Sequence, residues 1–172
     1  GRQLMAESGP FKTDLLAAIP SLRAFAVSLA QNSDKADDLV QETLVKAWDK
    51  QASFTPGTNL KAWLFTILRN EFYSQMRKRR REVQDSDGIM PARLSIHPDQ
   101  HGKLDLDDFR GALQQLPEDQ REAIILIGAS GFSYEEAAEI CGCAVGTIKS
   151  RVSRARTRLQ DILQISGEAD YG

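Results

Sequence analysis

The 172-residue sequence has only two cysteines and two histidines, and each shortage removes a class of function. Cys141 and Cys143 stand too close together for an ordinary disulfide, so a bridged framework is excluded. His97 and His101 could complete a metal site with them, but Cys-x-Cys is not a usual zinc spacing, and Pro98 keeps the two histidines off one regular helix. The thiols read as buried or half-buried side chains, and no metal or cofactor is expected. No apolar run approaches the roughly 18 residues of a membrane span, and no signal sequence is visible. A cytoplasmic location and no membrane partner are therefore expected. Gly1-Arg2-Gln3-Leu4 ahead of Met5 read as a cloning remnant outside the fold. No phosphate loop, nucleophile elbow or pair of catalytic acids is present, so an enzyme is not expected. Strand-like alternation is missing as well.

What is present is helical periodicity and charge gathered into islands. The formal net charge is only −2, yet Arg77-Lys78-Arg79-Arg80-Arg81 form one basic block, and Lys149, Arg151, Arg154, Arg156 and Arg158 form another. Two cationic islands on a nearly neutral chain imply two separate polyanion contacts. Leu15, Leu16, Ile19, Leu22, Phe25, Ala26 and Leu29 make one apolar face, which Pro20 should kink or restart. Ser33 or Asp34 can cap the next helix, predicted to run to about Lys50 with Leu39, Val40, Leu44, Ala47 and Trp48 inward. Phe54 to Asn59 is a loop by its turn residues. A third helix from Leu60 enters the basic block, with Trp63, Leu64, Ile67, Leu68 and Phe72 inward. The fold class is thus all-α: two small helical domains, at 10–81 and 104–165, joined by a flexible linker at 82–103. Gly88, Pro91, Pro98 and Gly102 break the pattern there, between the islands, and acids are frequent.

The second domain holds the most specific local pattern. Leu116-Pro117 opens a helix through Leu126, with Pro117 suited to its first position. Ser133-Tyr134-Glu135-Glu136 has the form of a capping box. Ala137 and Ala138 are small enough for a second helix to approach, Gly142 supplies a turn with positive φ, and Ile148 can fill the gap between the helices. This is a helix-turn-helix pattern. The helix from Val145 places Thr147, Lys149, Ser150, Arg151 and Arg154 on or near its outer side, suited to base edges and phosphates in a major groove.

Four stretches resemble the extracytoplasmic-function sigma factors. They are Ala36 to Trp48, Leu60 to Asn70, Leu116 to Ala123 and Gly146 to Arg151, in the family's order and spacing. The resemblance implies that the first domain docks on the RNA polymerase core (its β′ and β subunits) through Asp38, Leu39, Gln41, Glu42 and Lys46. It implies that the same domain captures the −10 element of promoter DNA as a single strand. Lys61, Arg69, Asn70, Tyr73, Arg77, Lys78 and Arg80 are the residues for that contact. Thr147, Lys149, Ser150, Arg151, Arg154 and Arg158 are the residues for the −35 duplex. Trp63 and Phe72 could stack on bases, but their spacing with Leu64 and Leu68 favours the core.

Phe11 to Leu15 and Glu139 to Val145 resemble the EcfG-type general stress sigma factors of alphaproteobacteria. That subfamily implies control by a small helical, NepR-like anti-sigma factor, displaced by a response regulator that mimics the sigma factor. A chain acting as that mimic would carry a receiver domain and lose the cationic helix, which this one keeps. An autonomous helix-turn-helix dimer would leave the acidic helix around Asp38 unexplained.

Overall fold

The computed structural model describes the backbone of residues 2–85 and 106–171, and the side chains of 9–84 and 106–164. Of the linker expected at 82–103, residues 82–85 continue a helix and the remainder lies outside the described residues. The described residues are helical, with no strand among them. The first half holds α1 (Arg2–Ala17), α2 (Ile19–Ala30), α3 (Ser33–Asp49), one 3₁₀ turn (Gln51–Ser53) and the long α4 (Leu60–Asp85). The second half holds α5 (Leu106–Gln114), α6 (Glu118–Ile124), a π-helical turn (Ile125–Ala129), α7 (Tyr134–Cys141) and α8 (Val145–Tyr171).

Local chemistry sets most of these ends. Pro20 lies in the first turn of α2, where the missing N–H costs nothing, and the chain breaks at Ala18 as its position predicts. α2 ends on Gln31 at φ 54°, a left-handed cap made without glycine. α3 is capped by Asn32, whose side chain accepts from the Lys35 N–H at 2.9 Å. The predicted cap, Ser33, is instead the first residue of the helix, because the amide oxygen one position earlier reaches the third N–H. Asn59 caps α4 in the same way, accepting from the Ala62 N–H at 3.1 Å. Pro117 sits at the cap of α6 and not at its first helical position. α1 includes Arg2 to Leu4, so the segment expected to lie outside the fold is part of its first helix.

Sequence periodicity leaves open whether the two halves meet. They share one apolar core, in which Leu22, Phe25, Leu39, Leu64 and Phe65 of the first half join Ala123, Leu126, Phe132, Ile148 and Val152 of the second. Phe65 stands at its centre: its ring stacks on Phe25 at 4.7 Å, and Phe132 meets it edge-on at 4.9 Å. A smaller cluster of Ala112, Leu116, Ala155 and Leu159 binds α5 to α8. Fully burying such side chains stabilises by about 1.5–3 kcal/mol each. Trp63 packs with Phe11 and Phe54, and Phe72 packs against the core beside Tyr73. Both aromatic residues therefore belong to the packing, as their spacing favours. Trp48, predicted inward, is 41% exposed, as is Leu16 at 53%. Thr43 takes a buried place in α3, its hydroxyl satisfied by the Leu39 carbonyl at 2.7 Å. Phe109 is likewise exposed.

Candidate nucleic-acid interface

The helix-turn-helix forms as the residues dictate. The Ser133 side chain accepts from the Glu136 N–H at 3.1 Å, while the Glu136 carboxylate accepts from the Ser133 N–H at 2.9 Å. That backbone bond, with a second from Asn59, holds the Glu136 carboxyl below its ordinary range. Gly142 caps α7 at φ 66°, its N–H shared between the Ala138 and Glu139 carbonyls. Ala137 and Ala138 are buried where α8 crosses, and Ile148 is fully buried in the gap.

α8 then divides into two stripes. Ile148, Val152, Ala155 and Leu159 are buried, each three or four residues from the next. Lys149, Ser150, Arg154 and Arg158 are exposed, with Thr147 and Arg151 half-buried at the edge. The Lys149 ammonium lies 5.7 Å from the Tyr134 ring centroid, and the Arg151 guanidinium is 3.7 Å from Asp119. All six predicted residues therefore fall within the first four turns of one helix. An amphipathic cationic helix presented by a tight turn can enter a major groove with its first turns and hold phosphates along its flank.

The predicted residues of α4 divide differently. Asn70, Arg77, Lys78 and Arg80 are exposed. Lys61, Arg69 and Tyr73 face the second half. Lys61 donates to the Ser130 carbonyl at 2.6 Å and lies 5.2 Å from the Phe132 ring centroid. Arg69 donates to Glu122 Oε1 at 3.0 Å, and the Tyr73 hydroxyl donates to Glu122 Oε2 at 3.2 Å. Burial alone would lower the Arg69 pKa; the Glu122 carboxylate outweighs it and holds the guanidinium above its ordinary value. Burial, reinforced by that carboxylate, pushes the Tyr73 phenol well up. Cys141, half-buried, donates to Glu122 Oε1 at 3.2 Å, and burial with the adjacent charge raises its thiol to about 12. Cys141 and Cys143 are free thiols, and the described residues contain no group of three metal-ligating side chains.

On α3, Asp38, Gln41 and Glu42 are exposed on successive turns. Leu39 is 1% exposed, so its side chain belongs to the core and is not available to a partner in this arrangement. Lys46 is paired with Glu71 of α4. Burial pushes the Glu71 carboxyl upward, but bonds from Lys46 and Gln75 prevail and hold it below its usual range. Sequence reasoning missed Val45, 57% exposed beside Trp48, which extends the acidic face into an apolar one. It also missed Arg121 and Glu122, both buried. One signal was available: Glu122 stands a single turn before Leu126, on the apolar side of its helix.

Comparison with known families places these elements. The model for Sigma-70 region 2 matches residues 16–82, and that for Sigma-70, region 4 matches residues 106–159. The ECF RNA polymerase sigma factor EcfG of Rhodopseudomonas palustris is 62% identical over 161 residues, covering 94% of this chain and 89% of the relative. The chain belongs to the extracytoplasmic-function (ECF) RNA polymerase sigma factors. In this sigma factor α4 lies in region 2, and the helix-turn-helix of α7 and α8 lies in region 4. The ECF sigma factor SigC of Mycobacterium tuberculosis is 38% identical over 135 residues, 77% of this chain and 72% of that one. Among solved structures, the sigma factor RpoE of Bartonella quintana, crystallised with the anti-sigma factor NepR, is 70% identical. It aligns with a TM-score of 0.80, over 91% of this chain and 98% of that one. Like its family, the protein serves promoter-specific transcription initiation and is not an enzyme. Among the described residues no single helix is long and apolar enough to cross a membrane.

Proposed function

We propose that this sigma factor divides its work between two units, at 10–81 and 104–165. The first docks on the polymerase core through Asp38, Gln41 and Glu42, whose exposed acids and amide suit a basic partner surface. It then holds the −10 element as a single strand. Asn70 receives an extruded base and Arg77, Lys78 and Arg80 hold phosphates, with Lys61, Arg69 and Tyr73 completing the surface. The second unit reads the −35 element as duplex through Thr147, Lys149, Ser150, Arg151, Arg154 and Arg158. The observation that carries this reading is the pair of opposed stripes on α8, one sealed by Ile148 and Val152 and the other cationic.

The motifs at Phe11–Leu15 and Glu139–Val145, and the likeness to a sigma factor crystallised with NepR, support a role in a general stress response under a small helical anti-sigma factor. The cytoplasm, where polymerase and promoters meet, is the proposed site of action.

Run-off transcription with core polymerase tests the assignment. Arg154→Ala should weaken −35 recognition by about 1–3 kcal/mol if the guanidinium pairs with a base. Asp38→Arg should abolish association with β′ while leaving helicity unchanged. Unaltered promoter selection in the first, or retained β′ pull-down in the second, would overturn the corresponding surface.

A further inference from the structure

Glu122 is the only acidic side chain among the described residues that is buried, at 1% exposed. Its two oxygens are directed at two residues of the proposed −10 surface, Arg69 at 3.0 Å and Tyr73 at 3.2 Å. An anionic oxygen paired with a guanidinium and a hydroxyl is also what a DNA phosphate offers those side chains. The adjacent residue binds the halves a second time: Arg121 donates to the Ser28 carbonyl at 2.8 Å, in the last turn of α2, where helix carbonyls lack partners within their own helix. Asn59 pairs with Glu136, and Lys61 donates to the Ser130 carbonyl, across the same boundary.

We infer that Glu122 is an intramolecular clasp: it occupies the Arg69–Tyr73 part of the −10 surface and holds region 4 against region 2 until the halves part. The inference rests on the assignment of Arg69 and Tyr73 to DNA made above. Geometry supports it independently. Positions −10 and −35 are separated by about 25 base pairs, or about 85 Å at 3.4 Å each. A compact chain of this length is only roughly 40 Å across. The closed arrangement cannot touch both elements on unbent duplex, and DNA is stiff over this length. Opening therefore accompanies promoter binding, and the clasp sets what it must overcome. The Phe65–Phe132 contact is broken in the same motion, which leaves apolar surface for the polymerase to cover.

The experiment uses the full chain with Cys141→Ser and Cys143→Ser, labelled at Lys50→Cys and Gln160→Cys, both exposed positions in opposite halves. Distance distributions by pulsed electron resonance should show one closed population, and Glu122→Gln should raise the open population at least fivefold. In the absence of polymerase, Glu122→Gln should also tighten binding to a single-stranded promoter oligonucleotide at least fivefold. An unchanged distance distribution in a folded Glu122→Gln protein would overturn the clasp. Opening without gained DNA binding would support the clasp and remove Arg69 and Tyr73 from the −10 surface. If Glu122→Gln fails to fold, a cleavable thiol cross-linker between Thr58→Cys and Glu135→Cys, which flank the Asn59–Glu136 contact, decides the matter. The locked protein should lose run-off transcription and regain it on reduction; full activity while locked would overturn the inference.

Discussion

Replacing Gly142 with alanine isolates the conformational demand of the turn between α7 and α8. Gly142 has φ 66°, and a Cβ placed on it would meet no heavy atom within 4 Å. The penalty is therefore backbone strain and not crowding. Holding an L-residue in the left-handed region costs about 1–2 kcal/mol. Alanine regains about 0.4–1 kcal/mol by restricting the unfolded chain. The net loss is about 1 kcal/mol, which in a chain of this size lowers the thermal midpoint by roughly 2–4 °C. Gly146 is the matched control. A Cβ there also meets nothing within 4 Å, but its backbone is helical, inside α8. Gly146→Ala should be neutral or stabilising by up to about 1 kcal/mol. Gly142→Asn should fall between Gly142→Ala and the parent, since asparagine tolerates this conformation better. Circular dichroism melts of the three variants beside the parent measure the order. A Gly142→Ala protein that melts with the parent, or a Gly146→Ala protein that loses as much, would refute the reasoning.

Three further outcomes are expected. Gln31→Gly relieves a left-handed cap made without glycine, at φ 54°, and should stabilise by about 0.5–1 kcal/mol, read as a raised melting midpoint. Ser133→Ala removes one half of the capping box and should cost about 0.5–2 kcal/mol, with amide exchange quickening first in α7. The Cys141 thiol, raised from 9.0 to about 12 by burial and by Glu122, stays protonated in the fold beyond the pH at which an unfolded thiol ionises. Its contribution is complete below about pH 9 and is lost as pH rises toward 12, so denaturant midpoints should decline over that window. A flat profile there would count against a buried, Glu122-bonded thiol.

Features governed by near neighbours were legible before any coordinates. The capping box at Ser133, the positive φ of Gly142, the plug at Ile148 and the restart at Pro20 each depend on a few adjacent residues. The cap of α3 fell one residue early because Asn32 and Ser33 are both good caps, and only the path of the chain chooses between them. Leu39 and Trp48 exchanged roles for another reason. Both lie near the edge of the apolar stripe of α3, and burial there depends on where α1 and α4 pack. Arg69, Tyr73 and Glu122 were least accessible. Their contacts span 53 and 49 residues, and nothing in a local window shows that a carboxylate in α6 meets the α4 residues assigned to DNA.

A π turn carries one residue more than the α turn it replaces, and Ile125–Ala129 keeps that spare residue between α6 and the turn before α7. The Ser130 carbonyl that receives Lys61 and the Phe132 ring that meets Phe65 both follow directly after it. Deleting one residue here would let the segment tighten to an α turn and rotate everything downstream by about 100°, the angle per residue of an α-helix. The helix-turn-helix would keep its internal packing yet lose its seat on α4. The length of one five-residue segment therefore sets how region 4 is presented to region 2.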